Sequence, residues 1–257
     1  MRLLVTNDDG IDSVFLHELV HALLSAGHDV SVVAPRHEQS WVGAAKSRNR
    51  PVLSAPQDRG FGCATWIVEG TPSDCVNIAV GHLLPQPPEA VFSGINVGLN
   101  VSLGFIIASG TVAGAWEGAL HGLPAVAFSQ DISEETYNHL KSTGGAPDSA
   151  LHATLKISAA HAARLGPLMA AATAGRRFLI HNVNFPAACQ SDTPVRETVP
   201  AHMLVPGLFS PQADDGTHRL IFKVGEDISP ATLMTDRTAL AEGLISHSVL
   251  DYTKLGS

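Results

Sequence analysis

The chain has 257 residues, is 45% hydrophobic and 16% charged, and carries a formal net charge of -8. This is enough apolar material for one large α/β domain, and the acidic balance excludes a binder of nucleic-acid duplexes, which needs a basic stripe. Its three cysteines, Cys63, Cys75 and Cys189, are far apart and lack CxxC spacing; this excludes a disulfide framework or zinc ribbon and fits a cytoplasmic protein.

In chain order, Leu3–Thr6 reads as a short apolar strand running into Asn7-Asp8-Asp9-Gly10. A helix is expected from Ser13 to Ala26, with Phe15, Leu16, Leu19, Val20, Leu23 and Leu24 on one side and Gly27 as its stop. Asp29–Pro35 is a second strand, and its Val-Val-Ala run suits a buried parallel sheet. Residues 36–51 are polar and irregular, as in a functional or mobile loop. Trp66–Val68 is a strand, paired in a hairpin with Val52-Leu53. Thr71 caps the next helix, with Pro72 at its first position. A strand over Ala90–Ser93 leads into a Gly/Asn-rich stretch, residues 94–104. A helix over Gly110–His121, a buried strand over Ala125–Phe128 and a long helix over Ala150–Leu165 follow. Phe178–Val183 reads as the last core strand. Beyond Pro186 only β-like runs remain, His218–Val224 and Leu244–Leu250. The pattern predicts an α/β core with a mostly parallel sheet over residues 1–186. A β-rich C-terminal extension covers residues 187–257. The run after Arg2 is too short for a signal peptide, and the apolar stretch Gly104–Trp116 is too short to span a bilayer, so no membrane partner is expected.

Asp8 and Asp9 stand at the carboxyl end of the first strand, where open parallel sheets bind ligands. Adjacent carboxylates repel, and a divalent cation with oxygen ligands is the simplest offset; an Asx turn capping the helix is the plainer alternative. Ser40, Asn96 and Ser109-Gly110-Thr111 follow other strands. If those strands are parallel, all these loops share one sheet edge. Two carboxylates, a hydroxyl and an amide oxygen then suit magnesium or manganese. The Ser109-Gly110-Thr111 helix start offers N–H groups, hydroxyls and the positive dipole end to a phosphate. Each piece taken singly is also an ordinary turn or cap.

Asn7-Asp8-Asp9-Gly10, Gln39-Ser40, residues 70–76 (GTPSDCV), residues 93–98 (SGINVG) and residues 109–113 (SGTVA) together resemble the SurE family of survival nucleotidases. Residues 182–186 (NVNFP) and the pattern Thr235-Asp236, Ala239, Gly243, Ser246 resemble further segments of that family. The match runs in order over nearly the whole chain. It implies a Rossmann-like α/β core and a divalent-metal phosphatase of nucleoside 5′- or 3′-monophosphates. It also implies a homodimer or homotetramer that exchanges C-terminal elements. The family's metal ligands fall on Asp8, Asp9, Ser40 and Asn96, and its phosphate-proximal segment on Ser109, Gly110 and Thr111. Catalytic work is then expected of Asp8, Asp9, Asn96, Ser109 and Thr111, with either aspartate as proton acceptor. The chain departs from the family pattern at Trp41, at Gly104–Ala108 and at Ser248-Val249-Leu250.

Rival patterns are weaker. His17-Glu18-Leu19-Val20-His21 matches the zinc-protease HExxH string, but helical spacing points His17, Glu18 and His21 away from the apolar stripe toward solvent. Residues 27–35 resemble a strand of nucleotide-sugar glycosyltransferases, which need a second Rossmann-like domain. Phosphatases that form an aspartyl-phosphate space their carboxylates as Asp-x-Asp, whereas here Gly10 takes the third place. A non-catalytic nucleotide-binding module stays open at this level.

Overall fold

The computed structural model describes residues 1–255 except Phe222 and Val224. Strand β1 (Arg2–Thr6) is followed by helix α1 (Val14–Ser25) and β2 (Asp29–Pro35). A short β3 (Ser54–Pro56) and β4 (Ala64–Val68) form the expected hairpin two residues later than Val52-Leu53. Helix α2 (Pro72–Ile78) starts with a full capping box, Thr71 and Asp74 each satisfying the other's backbone N–H. A π-helical turn (Ala79–Leu83) prolongs it before β5 (Ala90–Val97). Then come α3 (Leu103–Ala108), α4 (Gly110–Leu120), β6 (Ala125–Gln130), α5 (Glu134–Ser142), α6 (Ser149–Ala172) and β7 (Leu179–Phe185). The C-terminal part holds β8 (Val195–Thr198), β9 (Met203–Leu204), β10 (Glu226–Asp227), α7 (Asp236–Ala241) and β11 (Ile245–Asp251).

Nine strands form one sheet in the order β3-β4-β2-β1-β5-β6-β7-β11-β8. The six from β4 to β7 are mutually parallel. The chain grows from β1 toward β4, then returns to β5 on the other side of β1. That reversal is a topological switch point, and it opens a crevice at the carboxyl ends of β1 and β5. Period-2 alternation divides each strand between two cores. Leu3, Val5 and Phe92 face a core shared with α1 and α6, while Leu4 and Val91 face the core of α2 and α4.

Helix α4 sits very close to the sheet. A Cβ on Gly114 would lie 2.9 Å from Ser93 Oγ, and one on Gly118 would lie 2.6 Å from Val91. With Gly110 these residues form a stripe at i, i+4 spacing, so backbone meets strand directly. The close seat carries the N-terminus of α4 onto β1.

Several elements differ from the sequence expectation. Phe178–Val183 is not the last core strand: β11 pairs antiparallel with β7, and β8 lies parallel beside β11. The β11–β7 pairs lie 62 or more positions apart and the β11–β8 pairs 50, which local pattern does not encode. Helix α6 runs past Pro167 to Ala172. Proline removes one helical hydrogen bond, but burial of Met169 and Ala170 on the far side holds the last turn. Strand β5 continues to Val97, with a register shift between Ser93 and Asn96. The predicted strand His218–Val224 falls partly outside the described residues. Within them, Leu220 makes one isolated bridge to Phe209. Among the described residues, no helix is long and apolar enough to cross a membrane.

Candidate active site

Asp8 leaves β1 almost fully buried, and Asp9 follows half-buried. Gly10 makes the turn at φ 93°, with its carbonyl held by Asn7 Nδ2 at 2.9 Å. The carboxylate of Asp8 accepts a short hydrogen bond from the Thr111 hydroxyl. A Cβ on Gly110 would stand 2.7 Å from Asp8 Cβ and 2.9 Å from the Gln39 carbonyl. Only glycine lets the α4 start, the aspartate and the loop after β2 meet there. Ser109 caps α4 by accepting from Val112 N–H at 3.0 Å. The plain cap and the contact with an acidic side chain therefore coexist.

Asp9 accepts from the Val97 N–H through Oδ2 at 3.0 Å. Among the described residues nothing donates to its Oδ1. Asn96 is buried at the end of β5, and its Nδ2 donates to the Gly98 carbonyl at 2.7 Å. The turn before it depends on Gly94 (φ 128°), where a Cβ would overlap the Phe128 carbonyl at 2.3 Å. Ser40 lies one residue beyond Gln39, whose N–H donates to the Asp8 carbonyl at 2.7 Å. The Ser40 hydroxyl itself donates to Glu38 at 2.8 Å.

Burial raises the pKa of Asp8 to about 6, against the opposing hydrogen bond from Thr111. Asp9 is pushed well above the carboxylate range by burial and then by Asp8 beside it. Among the described residues no lysine, arginine or histidine makes an ion pair with either aspartate. No group of three or more His, Cys, Asp or Glu is gathered among them either. A cation here would rest on two carboxylates and neutral oxygens. The crowded charges, the Asp9 oxygen without a donor and the neutral Ser40 and Asn96 oxygens fit a hard divalent ion.

The loop over residues 36–51 is pinned at many points rather than loose. Gly43 N–H donates to the Ala108 carbonyl at 3.0 Å, and Thr71 Oγ1 donates to the Ala45 carbonyl at 2.7 Å. Ser47 N–H donates to Asp74 at 3.2 Å. Lys46 Nζ reaches Glu117 at 2.7 Å, and Asn77 donates to the other oxygen of Glu117 at 3.0 Å. Glu117 is 2% exposed on α4, so this ion pair clamps the Ser40 loop to the helix that carries Ser109-Gly110-Thr111. Sequence reasoning did not single out Glu117, although an acid within the small apolar run of residues 110–120 was its signal. The segment from Asn96 to Ser109 is tied on its far side as well. Asn100 N–H donates to Asn184 Oδ1 at 2.9 Å, and Ser102 N–H to Asp236 Oδ2 at 2.8 Å.

Of the HExxH residues only His21 is exposed; His17 and Glu18 are half-buried. His17 bonds the Ile11 carbonyl at 2.9 Å and packs edge-on against Phe61. Glu18 pairs with His152 of α6 at 2.8 Å. Helices α1 and α6 pack side by side, which buries that flank in part and leaves no zinc-protease geometry.

A doubly wound α/β fold with acidic residues at its switch point defines the class as a small-ligand α/β protein. The sequence model of the family described as Survival protein SurE matches residues 3–203, and the chain belongs to that family. It is 42% identical over 191 residues to the 5′-nucleotidase SurE of Desulfovibrio desulfuricans, covering 73% of this chain and 67% of that protein. With the 5′-nucleotidase SurE of Nostoc sp. it shares 44% over 131 residues, or 50% of this chain and 49% of the relative. The chain thus spans about half the length of several relatives it matches. The crystal structure of the SurE protein from Aquifex aeolicus aligns with a TM-score of 0.72 at 26% identity, over 98% of this chain and 93% of that one.

Proposed function

We propose that this chain hydrolyses nucleoside 5′- or 3′-monophosphates to nucleoside and phosphate, using magnesium or manganese. The observation that carries this reading is the crowded pair Asp8 and Asp9 set directly against the Gly110-Thr111 start of α4. Family membership and the name 5′-nucleotidase on its relatives support the same substrate class.

Asp8, Asp9, Ser40 and Asn96 would hold the cation, which when bound neutralises phosphoryl charge and lowers the pKa of a nearby water. The chain's own groups do the rest. Backbone N–H groups at the start of α4, with the Ser109 hydroxyl, bind the phosphoryl oxygens, helped by the helix dipole, while Thr111, whose hydroxyl donates to Asp8, fixes that carboxylate beside them. Positioning and electrostatics carry most of phosphoryl transfer. Asp8 or Asp9 accepts the proton of the attacking water. The clamp of Lys46, Glu117 and Asn77 keeps the Ser40 loop in register with α4.

The acidic surface and three free cysteines favour a cytoplasmic setting. Exposed Leu204, Phe209, Leu220 and Ile228 in the C-terminal region favour a homodimer or homotetramer built there. Light scattering at micromolar concentration tests this, and a monomer would rule it out.

The decisive test is phosphate release from a panel of nucleotides with EDTA, then with added manganese or magnesium. Loss under EDTA and recovery with metal is expected. Full activity in metal-free protein, or binding without release in every metal, would overturn the reading.

A further inference from the structure

At each proposed cation ligand a neighbour engages one polar position. Thr111 donates to Oδ1 of Asp8, and the Val97 N–H donates to Oδ2 of Asp9. Asn96 gives its Nδ2 to the Gly98 carbonyl at 2.7 Å, which leaves its Oδ1 for another partner. Ser40 poses this problem in its sharpest form, because the atom that would meet the cation also carries a hydrogen. A hydroxyl whose proton points at a cation repels it. Here the Ser40 hydroxyl donates to Oε1 of Glu38 at 2.8 Å. Its proton is thereby directed to the carboxylate, and its lone pairs are left over.

Glu38 stands in the stretch of chain that already touches Asp8. The Gln39 N–H donates to the Asp8 carbonyl at 2.7 Å, and a Cβ on Gly10 would lie 3.4 Å from the Glu38 nitrogen. Among the described residues no lysine, arginine or histidine pairs with Glu38, so no structural ion pair accounts for it. A hydroxyl that donates to a carboxylate makes a strong hydrogen bond, and such a partner both orients a metal ligand and makes it more basic. From this geometry we propose that Glu38 is a positioning residue, which holds the Ser40 proton and so leaves the hydroxyl oxygen to the divalent cation. The proposal rests on the metal-dependent phosphatase reading above. It adds a residue outside the ligand set that decides how tightly the set binds. Glu38 acts through Ser40 and does no chemistry on the substrate. Of the four orienting partners, Val97 and Gly98 act through their backbone and Thr111 is buried, whereas Glu38 is an exposed side chain. It can be replaced without opening a cavity.

The test is a double-mutant cycle on manganese binding to the full chain without substrate, read from the electron paramagnetic resonance signal of free manganese. Glu38→Ala should weaken manganese binding about tenfold, the lower end for loss of a partner behind a metal ligand. Glu38→Gln, whose amide oxygen can still accept the Ser40 proton, should recover most of that loss. In a Ser40→Ala background, Glu38→Ala should change the affinity by less than about twofold, because the group it acts through is gone. Unchanged affinity in Glu38→Ala overturns the proposal. So does an equal loss with and without the Ser40 hydroxyl, or a Gln variant as weak as the Ala variant, since charge alone would then set the affinity. Phosphate release separates this proposal from the reading beneath it. Wild-type protein that binds manganese and shows the coupled cycle, yet releases phosphate from no nucleotide, overturns the phosphatase reading and leaves the positioning role standing. Metal-dependent release beside an additive cycle overturns the positioning role alone. Wild-type protein that binds no manganese overturns both.

Discussion

The switch-point edge and the C-terminal region solve opposite electrostatic problems. At the edge, Asp8 and Asp9 are crowded together, with no cationic side chain paired to them among the described residues. On the C-terminal side, His181 of β7 and His247 of β11 share a hydrogen bond of 2.8 Å with stacked rings. Burial, and the neighbouring ring, push His181 down to about 4. Burial also lowers His247, against the attraction of Glu197. One region buries acids that resist losing their protons, and the other buries bases that resist gaining them. At the first the proposed cation would offset the buried charge, and at the second neutrality avoids it. Sites that bind cations and joints that hold strands thus leave different signatures.

The contrast can be broken most sharply at the aspartates. If Asp8 and Asp9 are the proposed cation ligands, Asp8→Asn and Asp9→Asn should each lower kcat by at least about a hundredfold, since each would remove a carboxylate that stabilises transition-state charge. The melting temperature without metal should hold or rise, because repulsion is relieved. Unchanged turnover with intact metal binding would refute the assignment.

Lys46→Ala comes next. It leaves Glu117 with Asn77 as its main partner in a buried position and should cost about 1–3 kcal/mol of stability, read from denaturant unfolding. Turnover should fall with it, because the Ser40 loop loses its clamp. Stability unchanged within error would show that the clamp is ornamental.

The pH dependence separates the two regions by sign. In the unfolded chain a histidine takes up its proton near pH 6.5, whereas His181 does so only near 4. As pH falls from 6.5 toward 4 the unfolded state binds more protons, so stability is lost over that window. His181→Leu should flatten that part of the curve. Asp8 runs the other way, from an ordinary 3.8 to about 6 when folded. The metal-free folded state holds the extra proton between those values, so this group's contribution to stability falls as pH rises through the window. Unfolding midpoints from pH 4 to 8 on wild type, His181→Leu and Asp8→Asn check both signs. The smallest effect is expected from His17→Ala with His21→Ala. Loss of the Ile11 hydrogen bond should cost about 1 kcal/mol and leave metal-dependent turnover nearly intact.

Much of the edge was legible because its signals are short. Strands β1 and β2, the Thr71 cap and the Ser109 cap each follow from a few neighbouring residues. Their common position follows from parallel strands, so Asp8, Thr111 and the loop holding Ser40 were expected at one place. The Asp8–Thr111 bond itself was not, because a side-chain contact across 103 positions has no local mark. Nor had Glu117 a motif to flag it. The C-terminal region was least legible. The run Leu244–Leu250 was legible as β-like and forms β11, but its place beside β7, and β8 beside it, come from long-range pairing, and the other apolar residues there follow neither period 2 nor 3.6 over a useful length. Strand β5 was cut short for a related reason: Gly94-Ile95-Asn96 looks like a turn, and only its neighbour β6 holds it as a strand with shifted register.

The bracket at Asp236 bears on biosynthesis. Its carboxylate accepts from Ser102 and Ala201 N–H groups, and Leu103 N–H donates to the Ala201 carbonyl. The strip between Asn96 and Ser109 is therefore fastened by a residue translated 134 positions later. Domains fold as the chain emerges, N-terminal parts first, at roughly 5–20 residues per second. The early strands can assemble on the ribosome, yet this strip gains its final anchor only when Asp236 has left the exit tunnel. Competence is thereby delayed until Asp236 has emerged, so a nascent product cut short of it would carry Asp8 and Asp9 without a finished crevice around them.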